Sequence, residues 1–196
     1  MAADTISKIL QARTPRTLSG GDYTQAAVLV PIQEREDGDY LIFTQRAEGL
    51  NHHSGQVAFP GGRVDPVDRG DLDAALRETY EEIGIDPGHV RVLGRLDQTR
   101  SAYNFSVTPF VGLIPWPYEF RLNHAETSAV FSVPVSALLQ PGCLVTEDRY
   151  FDPDRRHPVY HFYYQGWDIW GATARILKQF LEIAYDFKPE EEENDA

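Results

Sequence analysis

The stretch Arg77-Glu78-Thr79-Tyr80-Glu81-Glu82-Ile83-Gly84-Ile85 decides how the rest of the chain is interpreted. On a helix that turns by about 100° per residue, its glutamates occupy positions i, i+3 and i+4, so their carboxylates share one face. We expect this face to be directed to solvent and the opposite side to pack on a core. The expected core-facing stripe consists of Leu72, Ala75, Leu76, Thr79, Tyr80 and Ile83.

The crowding of Glu78, Glu81 and Glu82 indicates a chemical role for this helix. Like charges at these spacings destabilise a helix by roughly 0.2–0.5 kcal/mol per pair, and only Arg77 lies close enough in the sequence to offset them. Concentrated carboxylate oxygens are the ligands that a hard divalent cation such as Mg²⁺ prefers. We interpret the cluster as a metal site; the alternative is a solvated helix face without a ligand.

The residues around the helix predict where it begins and ends. Asp71 is the expected N-cap, Gly84 the expected residue after the C-cap, and Pro87 lies beyond it. Upstream, residues 57–59 predict a short strand that ends at Pro60-Gly61-Gly62. Glycines at such a turn let the backbone approach a ligand closely and can present N–H groups to phosphate oxygens.

The remaining pattern predicts alternating strands and helices. Helical spacing indicates helices over residues 4–12 and 170–185. Apolar runs predict strands over residues 26–32, 40–44, 90–96, 105–114, 129–133, 144–150 and 159–164, with a hairpin turn at Asp37-Gly38. This order favours an α/β or α+β sandwich. We expect one domain over residues 1–196, with an N-terminal helix and loop up to residue 22 and a disordered acidic tail over 188–196.

The composition restricts the partners. A formal net charge of −12 argues against nucleic acids and anionic membranes as the main ligands. A small phosphate-bearing substrate would need a metal or a local basic pocket. Residues 1–10 lack a basic stretch followed by an apolar one, so we expect no signal peptide. No apolar run reaches the roughly 18 residues that span a bilayer, and the single cysteine fits an expected reducing, cytoplasmic location.

The helix and its upstream glycines resemble the signature of the Nudix hydrolases, Gly-x5-Glu-x7-Arg-Glu-U-x-Glu-Glu-x-Gly-U, where U is a bulky aliphatic residue. The matching residues are Gly62, Arg77, Glu78, Glu81, Glu82, Gly84 and Ile85. Asp68 stands where the first Glu is expected, one extra residue separates it from Arg77, and Thr79 replaces the aliphatic residue. The first two departures weaken the expectation of a role for Asp68.

The segment over residues 42–62, IFTQRAEGLNHHSGQVAFPGG, resembles the motif of the coenzyme A pyrophosphatase branch of that family. The matching residues are Thr44, Arg46, Ala47, Gly55, Phe59, Pro60, Gly61 and Gly62, whereas Asn51 stands where the motif has a second Arg. The resemblance implies an α/β/α sandwich with a mixed β-sheet. It also implies Mg²⁺- or Mn²⁺-dependent hydrolysis of coenzyme A and its derivatives to adenosine 3′,5′-bisphosphate and 4′-phosphopantetheine.

The resemblance also implies roles for individual residues. Glu78 and Glu82 would be the firmest metal ligands, joined by Glu81, which is also our choice for the general base. Glu126 is the alternative base, and Arg77 could fix a glutamate rotamer. Substrate binding would involve Arg46, Gly61 and Gly62. The implied partner is a small nucleotide substrate, with no nucleic acid and no membrane, and the sequence leaves a homodimer open.

Two other functions remain as alternatives. The replacement at Asn51 motivates hydrolysis of another nucleoside diphosphate derivative, such as ADP-ribose or a dinucleotide. A non-catalytic nucleotide-binding Nudix module is the second alternative. His52-His53 is interpreted as a turn or substrate contact, because adjacent histidines on an extended chain point opposite ways. The other histidines lack ligand spacing, and Cys143 is expected to be an inert buried thiol.

Overall fold

Strands and helices alternate along the described part of the chain. The computed structural model describes residues 3–48, 55–152 and 155–189. Its helices are α1 (Ala3–Gln11), α2 (Asp71–Ile83), α3 (Val135–Leu138) and α4 (Gly171–Tyr185), and a 3-10 turn occupies Pro87–His89. Its strands are β1 (Thr24–Arg35), β2 (Gly38–Arg46), β3 (Val57–Ala58), β4 (Gly61–Arg63), β5 (Arg91–Arg95), β6 (Thr99–Arg100), β7 (Phe105–Leu113), β8 (Thr127–Pro134), β9 (Leu144–Asp152), β10 (Arg155–Tyr164) and β11 (Trp167–Trp170).

The main sheet is mixed, because β1 pairs in parallel with β7 and antiparallel with β2. Its strands follow the order β3-β2-β1-β7-β5, and β4, β6 and β8 pair with β1, β7 and β2. Two strands share one edge of β1: β2 pairs with residues 32–35 and β4 with residues 26–28. Gly61 and Gly62 therefore enter the sheet opposite Val28 and Ala27, beside the point where β2 diverges.

Helices cover both faces of the main sheet. Ala26 of β1 belongs to a core cluster with Leu10 of α1 and Leu177 of α4. The next residue, Ala27, packs instead with Ala74 of α2. Because neighbouring strand residues point to opposite faces, α2 lies on one face and α1 with α4 on the other. The predicted α/β architecture, a mixed sheet between helices, is confirmed.

A second, antiparallel sheet has the strand order β11-β10-β9. Its Phe162 and Ile169 belong to the same core cluster as α1 and α4, so the two sheets share that core. Tyr163, on the other face of β10, is 46% exposed. Cys143 lies buried beside this sheet, where burial raises the pKa of its thiol, in agreement with an inert role.

Most predicted elements lie within two or three residues of those observed, and β1 and β2 form the hairpin predicted at Asp37-Gly38, with Arg35 paired to Gly38. The predicted strand over residues 57–59 ends before Pro60 as expected, since β3 covers Val57–Ala58, but the return of the chain to the sheet at Gly61 as β4 was not predicted. Strands β4, β6 and β11 and helix α3 were not predicted, since two to four residues are too few to show a period.

Some expectations fall on residues outside the described part, namely those for Asn51, His52, His53 and the tail from residue 190 onward. The assignment of residues 1–196 to one domain stays a prediction. In the part of the chain that the structure describes, none of the helices combines the length and the apolar character needed to cross a bilayer.

Candidate active site

Helix α2 begins and ends at glycines. Gly70 is the N-cap residue, without a side-chain cap, so the expected capping role of Asp71 is wrong. Asp71 is the first helical residue, and its carboxylate accepts a 2.6 Å hydrogen bond from the hydroxyl of Thr108 on β7. At the other end, Gly84 adopts the left-handed conformation with φ of 74°, as predicted, and its N–H bonds to Tyr80 O.

The face of α2 that meets the sheet is built from small residues. Ala74 and Ala75 are fully buried against Ala27 of β1, which lets the helix backbone come close to the strand. The predicted apolar stripe is therefore wrong in part: Tyr80 is 55% exposed. The residues of α2 that are buried are Ala74, Ala75, Thr79, Glu82 and Ile83.

Glu82 is the buried carboxylate of the site. Its side chain is only 5% exposed, so the expectation that it faces solvent is wrong. Its Oε2 accepts a hydrogen bond from the N–H of Gly61 at 3.2 Å, and its Oε1 lies 3.6 Å from Nη1 of Arg46. Burial raises the pKa of Glu82 to about 7, helped by the charges of Glu78 and Glu126 and opposed by Gly61 and Arg46.

Close approach of β4 to its neighbours requires the glycines. A Cβ on Gly61, whose φ is 144°, would lie 2.3 Å from the carbonyl oxygen of Ala27. A Cβ on Gly62 would lie 2.5 Å from the carboxyl group of Glu78. Glu78 therefore rests directly on the β4 backbone. Its pKa is raised by burial, against the lowering effect of Arg77.

Arg77 connects the helix to the loop that precedes it. Its guanidinium binds both carboxylate oxygens of Asp68, at 2.8 and 2.9 Å, and the side chain of Asp68 is only 2% exposed. Nη1 of the same group donates to Glu78 at 2.9 Å and to Glu81 at 3.0 Å. The paired guanidinium lowers the pKa of Asp68 to about 2.

The two candidate bases have different surroundings. Glu81 is 51% exposed and bound to Arg77. Glu126 lies on the loop before β8, and its charge raises the pKa values of both Glu78 and Glu82. Asn123 fixes this loop, because its Nδ2 donates to Glu126 at 3.2 Å and its backbone N–H donates to the carbonyl of Glu82 at 2.9 Å.

The donor chemistry of these side chains fits a divalent cation. Within residues 3–48, 55–152 and 155–189, no three His, Cys, Asp or Glu side chains converge as a preformed metal site. Arg77 holds one oxygen each of Glu78 and Glu81 instead. The fit rests on Glu82, a buried carboxylate whose nearest cation lies 3.6 Å away, and on Glu78, seated against a glycine backbone. Hard oxygen donors with uncompensated charge favour Mg²⁺ or Mn²⁺.

Comparison with known proteins identifies the family. Residues 23–166 match the NUDIX domain. The chain belongs to the Nudix hydrolase family.

Relatives in Salmonella agree with this assignment. The "Uncharacterized Nudix hydrolase NudL" of Salmonella paratyphi B is 43% identical over 165 residues, which cover 84% of each chain. The protein of the same name from Salmonella newport is equally similar, with 43% identity over 165 residues.

Solved structures support the Nudix fold. A MutT/nudix family protein from Enterococcus faecalis superposes with a TM-score of 0.55 at 15% identity, covering 95% of this chain and 70% of that one. RenU, a Nudix hydrolase from M. smegmatis, superposes with a TM-score of 0.51 at 17% identity, covering 63% of this chain and 80% of that one. At these identities the likeness concerns the fold alone.

The structure brings together most of the residues that the sequence singled out. Arg46 and Gly61, from the upstream motif, both contact Glu82 of the Nudix helix. Sequence reasoning missed the contribution of Asp68, which binds Arg77 despite the off-length spacing, and that of Asn123. The prediction that Arg77 alone offsets the glutamates is also wrong, since Arg46 is the cation beside Glu82.

The Asp68–Arg77 contact predicts a measurable coupling. Replacing Arg77→Met removes two hydrogen bonds to a carboxylate that is 2% exposed. We expect a loss of about 2 kcal/mol in the free energy of unfolding, since net contributions of hydrogen bonds to charged groups are about 1.5–3 kcal/mol. Urea denaturation of Arg77→Met, Asp68→Asn and the double variant measures the coupling energy.

The matched control is Arg69→Met, because Arg69 makes a similar contact with Asp73 but is 87% exposed. Its effect should stay below about 0.5 kcal/mol. Additive effects of the two site variants would contradict the proposed coupling of the loop to the helix.

Glu82 predicts a pH dependence of the metal-free protein. Its folded-state pKa of about 7 exceeds the ordinary value of 4.5, so the folded state holds a proton that the unfolded state has released. Stability from this proton is fully present below pH 4.5 and is lost as the pH rises through about 7. The expected loss is on the order of 3 kcal/mol.

The test measures the free energy of unfolding by urea denaturation between about pH 5 and about pH 8, with a chelator present. The unmodified protein is compared with Glu82→Gln, whose side chain cannot ionise. The stability of the variant relative to the unmodified chain should rise with pH. Glu81→Gln, at an exposed carboxylate, is the control. Parallel pH curves for the unmodified protein and Glu82→Gln would show that Glu82 titrates normally.

Proposed function

We propose that this Nudix hydrolase is a metal-dependent pyrophosphatase of coenzyme A and its derivatives. Water would be added across the diphosphate bond, giving adenosine 3′,5′-bisphosphate and 4′-phosphopantetheine. The same fold could act on another nucleoside diphosphate derivative, so the substrate panel below includes ADP-ribose and a dinucleotide.

The meeting of two separate motifs at one carboxylate carries the proposal. Arg46 and Gly61 come from the upstream motif that resembles the coenzyme A branch, whereas Glu82 comes from the Nudix helix. The 3.6 Å contact from Arg46 and the 3.2 Å hydrogen bond from Gly61 join the three residues. The segment proposed to bind substrate and the helix proposed to bind metal therefore meet at one site.

Glu78, Glu81 and Glu82 would hold Mg²⁺ or Mn²⁺ in this proposal. The bound ion would neutralise phosphate charge, polarise phosphorus and lower the pKa of a bound water. Arg77 positions Glu78 and Glu81 and ties them to Asp68.

The substrate would meet a small set of donors. Arg46 is 30% exposed, so its guanidinium can donate to a phosphate oxygen. Gly61 and Gly62 remain proposed substrate contacts through their backbone, although the space where their side chains would lie is filled by Ala27 and Glu78.

Two carboxylates are candidates for the group that takes the proton from the attacking water. Glu81, the choice made from the sequence, is exposed, and its Oε2 accepts from Arg77 at 3.0 Å, which leaves Oε1 to take the proton. Glu126 is held by Asn123 and lies within electrostatic range of Glu78 and Glu82. Glu81 remains the proposed base and Glu126 the alternative, and the kinetics of variants at the two positions distinguish them.

Incubation with Mg²⁺ and coenzyme A should yield adenosine 3′,5′-bisphosphate and 4′-phosphopantetheine, detected by mass spectrometry. In a panel with coenzyme A thioesters, ADP-ribose and a dinucleotide, coenzyme A compounds should have the highest kcat/KM. Coenzyme A left intact while ADP-ribose is cleaved would replace the proposed substrate. Nucleotide binding without product, with any divalent ion, would favour a non-catalytic module.

Replacing the true base with glutamine should lower kcat by about 10²–10⁴ and remove the acidic limb of the pH–rate profile. We expect this for Glu81→Gln and a smaller effect for Glu126→Gln. Glu119→Gln, at an exposed residue of the same loop as Glu126, is the matched control. If Glu126→Gln alone shows the large loss and the changed profile, the base assignment moves to Glu126.

A further inference from the structure

A basic cavity lies away from the carboxylate site. Its volume is about 350 Å³. Of the 18 basic residues in a chain with net charge −12, four line this cavity. Its charged lining residues are Arg13, Arg16, Arg175 and Lys178, with the acids Asp97 and Glu182. The lining therefore has a formal charge of +2 in an acidic protein.

Both acidic residues of the cavity already form ion pairs with basic residues of its lining. Asp97 is 5% exposed and accepts bonds from Nη2 of Arg13 at 3.1 Å and from Nε and the backbone N–H of Arg16 at 2.8 and 3.0 Å. Glu182 pairs with Lys178 one turn earlier on α4. Neither carboxylate contacts Arg175, so the excess positive charge is not balanced within the lining.

Arg175 has few partners for its charge. Its Nη2 donates to the carbonyl of Arg100 at 2.8 Å, and among the described residues no carboxylate forms an ion pair with it. Arg175 is an exposed residue, and the pKa of its guanidinium is lowered because nearby protein displaces water from the charged group. Nη1 of Arg13 is buried and also lacks a partner among the described residues. Arg175, for which no ion pair is formed among the described residues, would gain most from a bound anion.

The cavity and the Nudix helix lie on opposite sides of the main sheet. Arg175 and Lys178 belong to α4, which covers the face where Ala26 packs. Helix α2, with Glu78 and Glu82, covers the face where Ala27 packs. An anion in this cavity would therefore be remote from the diphosphate that the proposed reaction cleaves.

We propose that this cavity is a second ligand site, which binds a phosphate group. A phosphate monoester carries a charge of about −1.5 to −2 near neutral pH, which matches the +2 of the lining. One guanidinium group can donate two parallel hydrogen bonds to two oxygens of a phosphate, and three arginines border the cavity. The ring of Tyr160, 5.2 Å from Lys178 Nζ, and the side chain of Ile183 provide a wall for an attached organic group.

Isothermal titration calorimetry with inorganic phosphate and with AMP tests the site. The titration uses the full chain, a chelator and matched ionic strength, so that neither metal-dependent binding nor salt contributes. We expect saturable binding of both probes. Equal affinities would indicate free phosphate as the ligand, and tighter binding of AMP would indicate a monoester that also contacts Tyr160.

Arg175→Gln should weaken binding by about tenfold or more, because it removes a charge-assisted contact, and Lys178→Gln by about three- to tenfold. Two variants keep the test usable if one of them fails to fold, which circular dichroism would reveal. Arg91→Gln is the matched control, since Arg91 pairs with Asp4 outside the cavity. Its affinity should match that of the unmodified chain.

The absence of saturable binding to the unmodified protein would overturn the proposal. Equal affinities in Arg175→Gln and Arg91→Gln would overturn it as well. Because binding is measured without metal and without turnover, a negative result here leaves the proposed hydrolase activity to be judged by its own assay.

Discussion

The burial of one carboxylate, that of Glu82, is the constraint on which the site depends. Removing a carboxylate from water is unfavourable unless hydrogen bonds and positive charge replace the water. Here the N–H of Gly61 and the guanidinium of Arg46 at 3.6 Å replace only part of the lost hydration, so the pKa of Glu82 remains raised. Additional positive charge beside Glu82 would therefore be stabilised by the fold itself, and a divalent cation is the form of charge that oxygen ligands favour.

Small residues make this burial feasible. Ala74 and Ala75 bring α2 against β1, and Gly61 and Gly62 bring β4 beneath the glutamates. Any larger side chain at the glycines would collide with backbone or with Glu78. The residues that set the spacing of helix and strand thus also set the distance from the buried carboxylate to its N–H donor.

The sequence predicted the elements better than it predicted burial. Gly84 gave the end of α2 correctly, because only glycine adopts the left-handed conformation there without strain. The prediction that Glu82 faces solvent is wrong because spacing along the helix, rather than charge, decides which side it occupies. Ala75, Thr79 and Glu82 are separated by four and three residues, which places the glutamate on the buried side of the helix.

The contribution of Asp68 could not be predicted for a different reason. Its contact with Arg77 spans the irregular loop before α2, so sequence spacing alone does not show which loop residue meets the guanidinium. Two-residue strands such as β6 also leave no period in the sequence. Long periodic elements were therefore predictable, whereas loop-mediated contacts required the coordinates.

The end of α2 and the position of Glu126 depend on the same hydrogen bonds. The last carbonyls of a helix lack partners within the helix and must find others. Here the backbone N–H groups of Arg121 and Asn123 supply them, bonding to the carbonyls of Ile83 and Glu82 at 2.9 Å each. Because Asn123 also holds the side chain of Glu126, the contacts that end the helix bring a fourth carboxylate within electrostatic range of Glu78 and Glu82. Burial is the main cause of the raised pKa values of Glu78 and Glu82, and the smaller contribution of Glu126 is a consequence of how the helix is terminated.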